Sequence, residues 1–123
     1  MKNRAFLERF GFAWSGLRSA WRSEASLRTH IMMTSLLLVA LLILRPALIW
    51  WALCGVMVAL VIAAELINTA LEHLADHLHP EQHPRIKIVK DCAAAAVLIL
   101  SIGAQWVAVM VVVAIVFMER AQR

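Results

Sequence analysis

The sequence predicts an all-α membrane protein with three transmembrane helices, and its composition and charge pattern are the reasons. Hydrophobic residues make up 63% of the 123 residues. Residues 46–64 and 92–118 carry no charge, and neither does the shorter stretch 31–44. A helix needs about 20 apolar residues to cross a hydrocarbon core of about 30 Å. We therefore expect three spans, at residues 24–45, 48–77 and 88–118.

The first 23 residues predict an amphipathic helix that lies on the membrane surface. Phe6, Phe10, Leu17 and Trp21 recur at intervals of four and seven residues, so they share one face of a helix. Arginines occupy much of the remaining surface. A helix of this kind lies in the headgroup plane with its arginines toward phosphates. A plain anchoring helix without a catalytic role is the alternative.

Prolines mark the two connections between the predicted spans. A residue that precedes proline resists helical geometry, so Arg45-Pro46 predicts a tight turn between the first two spans. Pro80 and Pro84 predict a loop over residues 78–87 between the second and third spans. The chain is therefore expected to form a single membrane domain over residues 1–123.

The basic residues predict how the chain is oriented. Six of the twelve lysines and arginines precede the first apolar stretch, and three more lie between the second and third. The positive-inside rule then places the amino terminus and loop 78–87 in the cytoplasm. The net charge of +4 fits anionic lipid headgroups and a phosphorylated substrate, and we expect no nucleic-acid partner.

A stripe of polar residues follows the second apolar stretch. Glu65, Asn68, Glu72 and Asp76 recur at intervals of three and four residues, so they share one helical face that rises by about 16 Å. Ionisable groups within a membrane are costly and normally face a protein interior or a water-filled cleft. We interpret the stripe as functional, with one end near soluble ligands and the other near lipid.

Further polar residues are predicted at the same membrane face. Lys90 and Asp91 begin the third span, and Glu24 begins the first. Carboxylates suit Mg²⁺ shared with substrate phosphates, and a lysine suits phosphate as a point charge. The four scattered glycines form no phosphate-binding loop. His73 and His77, one turn apart, leave a transition-metal site open as an alternative.

Three segments resemble the bacterial integral-membrane diacylglycerol kinase family, which includes the undecaprenol kinases. They are GFAWSGLRSAWRSEASLR, AELINTALEHLAD and HPRIKIVKDCAAAAVLIL, in that order along the chain. The resemblance implies a homotrimer in the bacterial inner membrane, with composite active sites between subunits. It also implies transfer of the γ-phosphate of ATP, with Mg²⁺ as cofactor, to a membrane lipid alcohol.

The same resemblance implies roles for individual residues. Glu65 looks like the base that takes the proton from the lipid hydroxyl, with Asn68 beside it, and Glu24 and Glu72 look like Mg²⁺ ligands. The residues that resemble ATP contacts are Phe12, Glu24, Glu72, Asp76, Gln82, His83, Lys90 and Asp91. Those that resemble contacts of the lipid substrate are Arg18, Trp21, Ser26, His30, Glu65 and Ala94.

The choice of lipid and two other classes of protein stay open at this point. Diacylglycerol-specific members carry an acid near His30, a serine at Ala94 and a tyrosine at Phe12, whereas the RTH segment is closer to the undecaprenol kinases. The tryptophan-rich GLRSAWRSEAS segment favours diacylglycerol, with undecaprenol as the alternative. A proton- or cation-coupled transporter would place the coupling acid, Glu65, nearer mid-bilayer. A purely structural subunit would leave the polar stripe unexplained.

Overall fold

The computed structural model describes residues 5–121, apart from the side chain of Glu119. This part of the chain folds into four helices and no strand. They are α1 (Phe6–Ser23), α2 (Ala25–Leu44), α3 (Leu48–Leu78) and α4 (Pro84–Ala121). The first four residues of the predicted surface helix lie outside the described residues. The same is true of three residues counted in the prediction of orientation, Lys2, Arg4 and Arg123.

Helices α2, α3 and α4 have the length and composition of membrane spans. They contain 20, 31 and 38 residues. At 1.5 Å per residue, even the shortest is about 30 Å long, which matches the hydrocarbon thickness. All three are long and apolar enough to cross a membrane. The predicted all-helical class with three apolar spans is confirmed.

The last connection is shorter than the sequence predicted. Helix α4 begins at Pro84, four residues before the expected start at Ile88, and α3 ends at Leu78. Proline is favoured in the first turn of a helix, because its missing N–H would have no helical partner there and its φ is already suitable. The connection is therefore only residues 79–83, and Lys87 lies within α4 instead of in the loop.

Arg28 ties α1 to α2 at their junction. Glu24 lies between the two helices and has an extended backbone, at φ −112° and ψ 113°. The Nη1 atom of Arg28 donates to the backbone oxygens of Trp21, at 2.9 Å, and Arg22, at 3.3 Å. Carbonyls in the last turn of a helix have no partner within the helix. Arg28 satisfies two of them and fixes the direction in which α1 leaves α2.

An apolar core joins the three long helices at one end of the bundle. Leu41, Cys54 and Val111, one from each helix, are all buried. Leu41 lies near the end of α2 and Cys54 near the start of α3, so the core lies beside the Arg45-Pro46 turn. Arg45 has a left-handed backbone, at φ 47°, which reverses the chain there. The 79–83 loop lies at the opposite end.

Candidate functional site

Glu65 is buried between α2 and α3, with both carboxylate oxygens engaged. Only 3% of it is exposed. The Ser26 hydroxyl donates to Oε2 at 2.9 Å, and Nε2 of His30 lies 3.0 Å from Oε1. The hydroxyl of Thr69 donates to the backbone oxygen of Glu65 at 2.9 Å. Burial of a carboxylate is tolerated when hydrogen bonds replace those of water, and here α2 supplies them.

The middle of the polar stripe contains a buried oxygen without a hydrogen-bond donor. Nδ2 of Asn68 donates to Oε1 of Glu72 at 3.2 Å, which orients the amide. Oδ1 of Asn68 is buried and has no hydrogen-bond partner among the described residues. An unpaired buried carbonyl oxygen is costly, so this atom is suited to a donor or a cation from outside the chain.

Glu24 reaches α3 at the level of Glu72. Its Oε1 atom lies 3.7 Å from Nε2 of His73, the residue that follows Glu72. Within residues 5–121, no group of three or more histidine, cysteine or acidic side chains is placed to hold a metal ion. The donor set of two carboxylates and one amide oxygen suits Mg²⁺, which keeps several waters and phosphate oxygens among its ligands. It does not resemble a closed transition-metal site.

An open pocket of about 550 Å³ lies at the other end of the stripe. The end of α3, the 79–83 loop and the start of α4 enclose it. Asp76, Gln82, His83 and Lys90 line it, so four of the predicted ATP contacts are brought together. The volume lies within the range of about 300–1,000 Å³ that is usual for small-molecule sites.

Lysines of α4 supply the positive charge beside this pocket. Nζ of Lys90 donates to Oδ1 of Asp76, which joins α4 to α3, and Nζ of Lys87 donates to Oδ2 of Asp91. Lys87 also lines the pocket, although it was not among the predicted contacts. Lys87 and Lys90 are three residues apart, so they share one face of the helix. This spacing is the sequence signal that could have predicted Lys87 as a pocket residue.

Other predicted site residues lie apart from this pocket in the single chain. Asp91 pairs with Lys87 outside the pocket lining, and Phe12 is on α1. Arg18 borders a separate groove on α1, together with Ser15, Ser19, Arg22 and Ser23. Trp21 accepts a bond from Arg28 through its backbone oxygen, and Ala94 is exposed on α4. Only Ser26 and His30, among the predicted lipid contacts, bond to Glu65.

Comparisons with known proteins identify the family. The family described as "Prokaryotic diacylglycerol kinase" matches residues 11–117. The diacylglycerol kinase of Escherichia coli K12 is 36% identical over 94 residues, 76% of this chain and 77% of that protein. The diacylglycerol kinase of Synechocystis sp. is 35% identical over 96 residues, 77% of this chain. The chain spans about half of the Synechocystis protein, since the match covers 55% of it.

The chain is also similar to a kinase with a different name. The undecaprenol kinase of Bacillus subtilis is 28% identical over 97 residues, which are 79% of each chain. The family and the kinase class that the sequence predicted are confirmed by these matches. With three apolar helices of spanning length, the protein is a multi-pass membrane protein. The chain belongs to the prokaryotic diacylglycerol kinase family.

Proposed function

We propose that the protein transfers the γ-phosphate of MgATP to the hydroxyl of diacylglycerol, giving phosphatidic acid, at the cytoplasmic face of the bacterial inner membrane. One observation supports this above all: a single face of α3 leads from an open pocket beside Lys90 to the buried carboxylate of Glu65. A soluble nucleotide and a membrane lipid can meet along such a face. The E. coli and Synechocystis relatives are named diacylglycerol kinases.

Glu65 is the proposed general base. Phosphoryl transfer depends mainly on alignment and charge neutralisation, together with a group that takes the proton of the attacking hydroxyl. Glu65 is the acid of the stripe farthest from the pocket, and it is 3% exposed. Its burial separates it from bulk water, and we assign it to the hydroxyl of the membrane lipid. Asn68, one turn along the same helix, orients the neighbouring Glu72.

Glu24 and Glu72 are the proposed Mg²⁺ ligands, with Oδ1 of Asn68 as a further oxygen. The support is the chemistry of these donors and the unpaired state of that amide oxygen. Bound Mg²⁺ neutralises phosphate charge as it develops during transfer. Glu72 lies on α3 between the pocket and Glu65, and Glu24, at the junction of α1 and α2, contacts His73 at the next position of α3.

The proposed nucleotide site is the pocket at the 79–83 loop. Asp76, Gln82, His83 and Lys90 line it, and Lys90 would exchange its pairing with Asp76 for a phosphate oxygen. A lysine binds phosphate chiefly as a positive charge. The resemblance adds Asp91 and Phe12 as further ATP contacts.

A homotrimer with composite sites is proposed for the complete enzyme. Arg18, Trp21 and Ala94 resemble lipid contacts, yet among the hydrogen bonds of residues 5–121 none joins them to Glu65. A neighbouring subunit would bring such residues to the site. Apolar side chains such as Leu98 and Ile102, both at least 60% exposed, are available for contact with neighbours or lipid. The proposal includes α1 on the membrane surface and the amino terminus in the cytoplasm.

Complementation tests the composite site directly. Glu65→Gln and Arg18→Ala subunits, each expected to be strongly impaired alone, are mixed, unfolded and reassembled together. If neighbouring subunits share a site, mixed trimers contain some intact sites and activity returns. A site built within one chain has either Glu65 or Arg18 missing in every subunit, so activity would stay low.

The activity itself is tested with purified protein in mixed micelles containing MgATP and either diacylglycerol or undecaprenol. Phosphorylated diacylglycerol as the preferred product supports the proposal. Preference for undecaprenol supports the second candidate, which the similarity to the Bacillus subtilis protein favours. Failure to phosphorylate any lipid alcohol, together with ATP-independent cation flux in liposomes that requires Glu65 but not Lys90, would support a transporter instead.

A further inference from the structure

Two side chains on one turn of α2 bind the carboxylate of Glu65 from the same side. Ser26 and His30 are four residues apart, so they share a face of α2. Each approaches a different oxygen: the hydroxyl of Ser26 lies 2.9 Å from Oε2, and Nε2 of His30 lies 3.0 Å from Oε1. Sequence resemblance had suggested that both contact the lipid substrate. Their contact with Glu65 points to a second role, through that carboxylate.

The distance between His30 and Glu65 allows a donor contact between them. Nε2 of His30 lies 3.0 Å from Oε1, which is a suitable separation for an N–H group that faces a carboxylate oxygen. A neutral imidazole donates through one ring nitrogen and accepts through the other. With Nε2–H as the donor, His30 holds the Oε1 side of the carboxylate. A carboxylate has about four lone-pair positions, so two donors leave room for the proton of an attacking hydroxyl.

We infer that His30 and Ser26 are positioning residues for Glu65, which hold its buried carboxylate in place and aim it at the lipid hydroxyl. The inference rests on the proposed function. In that reaction the lipid oxygen bonds to the γ-phosphorus, and the bond from phosphorus to the bridging oxygen breaks, releasing ADP. The lipid hydroxyl proton goes to Glu65. His30 and Ser26 keep their own protons throughout and act only through Glu65.

Three variants separate positioning from lipid contact. His30→Leu removes the donor, Ser26→Ala removes the other donor, and His30→Gln keeps an N–H on a side chain of similar reach. Ser35→Ala is the matched control, because the Ser35 hydroxyl bonds only to the backbone oxygen of Ile31 on the same helix. Lipid phosphorylation is measured over a range of lipid concentrations for each variant, after its helicity and thermal unfolding have been checked.

The expected result is a loss in turnover. Hydrogen bonds to charged groups are strong, so His30→Leu lowers kcat by about 10- to 100-fold and Ser26→Ala by a smaller factor. KM for the lipid stays within about twofold, because neither side chain binds the lipid. His30→Gln recovers most of the lost turnover, and Ser35→Ala matches the wild type. Should His30→Leu fail to fold, Ser26→Ala and His30→Gln supply the same comparison.

Several results would overturn the inference. A raised KM with unchanged kcat in His30→Leu would make His30 a lipid contact. Turnover in His30→Gln as low as in His30→Leu would exclude a donor role. Unchanged turnover in both His30→Leu and Ser26→Ala would show that Glu65 needs neither partner.

An infrared measurement keeps this inference separate from the kinase proposal. The carboxylate stretch of Glu65 is identified by subtracting the spectrum of Glu65→Gln. We expect the band to move in His30→Leu and to return toward its wild-type position in His30→Gln. This result needs no turnover, so it holds even if no lipid is phosphorylated and the proposed function fails. An unchanged band in His30→Leu would overturn the positioning role, whatever the enzyme's activity.

Discussion

The two ends of the helical bundle are held together by different kinds of contact. At the Arg45-Pro46 end, Leu41, Cys54 and Val111 pack as an apolar core. At the other end, hydrogen bonds and ion pairs join the helices: Ser26 and His30 bind Glu65, and Lys90 binds Asp76. The first end stabilises the fold by packing alone. The second contains the polar groups to which we assign the proposed reaction.

The two kinds of contact respond differently to substitution. Lipid tails are as apolar as leucine, so an apolar core in a membrane is stabilised mainly by close packing. Close packing tolerates many combinations of side chains. Polar contacts at membrane depth are more demanding, because each unpaired group is costly. The polar end should therefore respond to single-atom changes that the apolar end would tolerate.

Glu65→Gln is the change with the largest expected effect on activity. It keeps the shape of the side chain but removes the proposed base, and general bases contribute roughly 10²- to 10⁴-fold. We expect turnover to fall by about 1,000-fold while helicity and nucleotide binding are retained. Glu8→Gln, an exposed acid on α1, is the matched control. Near-normal turnover in Glu65→Gln would contradict the assignment of the base.

Lys90→Ala should have the next largest effect. It removes a charge that the pocket offers to phosphate, so we expect transfer from ATP to fall by about 100-fold. Lys90→Arg keeps the charge with a different shape and should recover only part of the loss. The pair with Asp76 is partly exposed, so stability should change by less than about 1 kcal/mol. Arg120→Ala, at the far end of α4, is the control, and an equal loss there would refute a local role for Lys90.

Glu24→Gln and Glu72→Gln should change the metal requirement of the reaction. If both carboxylates hold Mg²⁺, each single change raises the Mg²⁺ concentration for half-maximal activity by about tenfold. In the double variant, the rise in this Mg²⁺ concentration should be much smaller than the product of the two single rises, because the first change already disrupts the shared site. Titration of activity with Mg²⁺ measures this. Independent, multiplicative effects would argue against a shared ion.

Leu41→Ala tests the apolar end and should have the smallest effect on activity. Leu41 is 4% exposed, whereas its neighbour Leu42 is 57% exposed. We expect Leu41→Ala to destabilise the protein by about 2 kcal/mol through the cavity that it leaves, with kcat changed by less than about twofold. Leu42→Ala should lower the free energy of unfolding by clearly less. Unfolding in mixed micelles measures the difference, and a large loss of kcat in folded Leu41→Ala would show that the two ends are coupled.

Much of the fold was predictable from the sequence, because the relevant signals are local. Uncharged stretches marked the three spans, and Arg45-Pro46 marked the turn. Helix α4 begins four residues before the predicted start, because a proline that breaks one helix is also favoured in the first turn of the next. The polar stripe was also predictable, because residues three and four apart share a face in any helix.

The partners of that stripe were decided by the tertiary structure. Periodicity within α3 places Glu65, Asn68 and Glu72 on one face, but it contains no information about which residues of α2 lie opposite. The residues of α2 that face the stripe depend on the position and rotation of α2 along α3. Two features set this register together: the left-handed backbone of Arg45 and the packing of the apolar core. Ser26 and His30 meet Glu65 only because of that register. Lys87 lines the pocket for a similar reason, because α4 starts early enough to turn it toward α3. Sequence thus determined the elements and their chemistry, whereas the packing of one helix against another determined which groups meet.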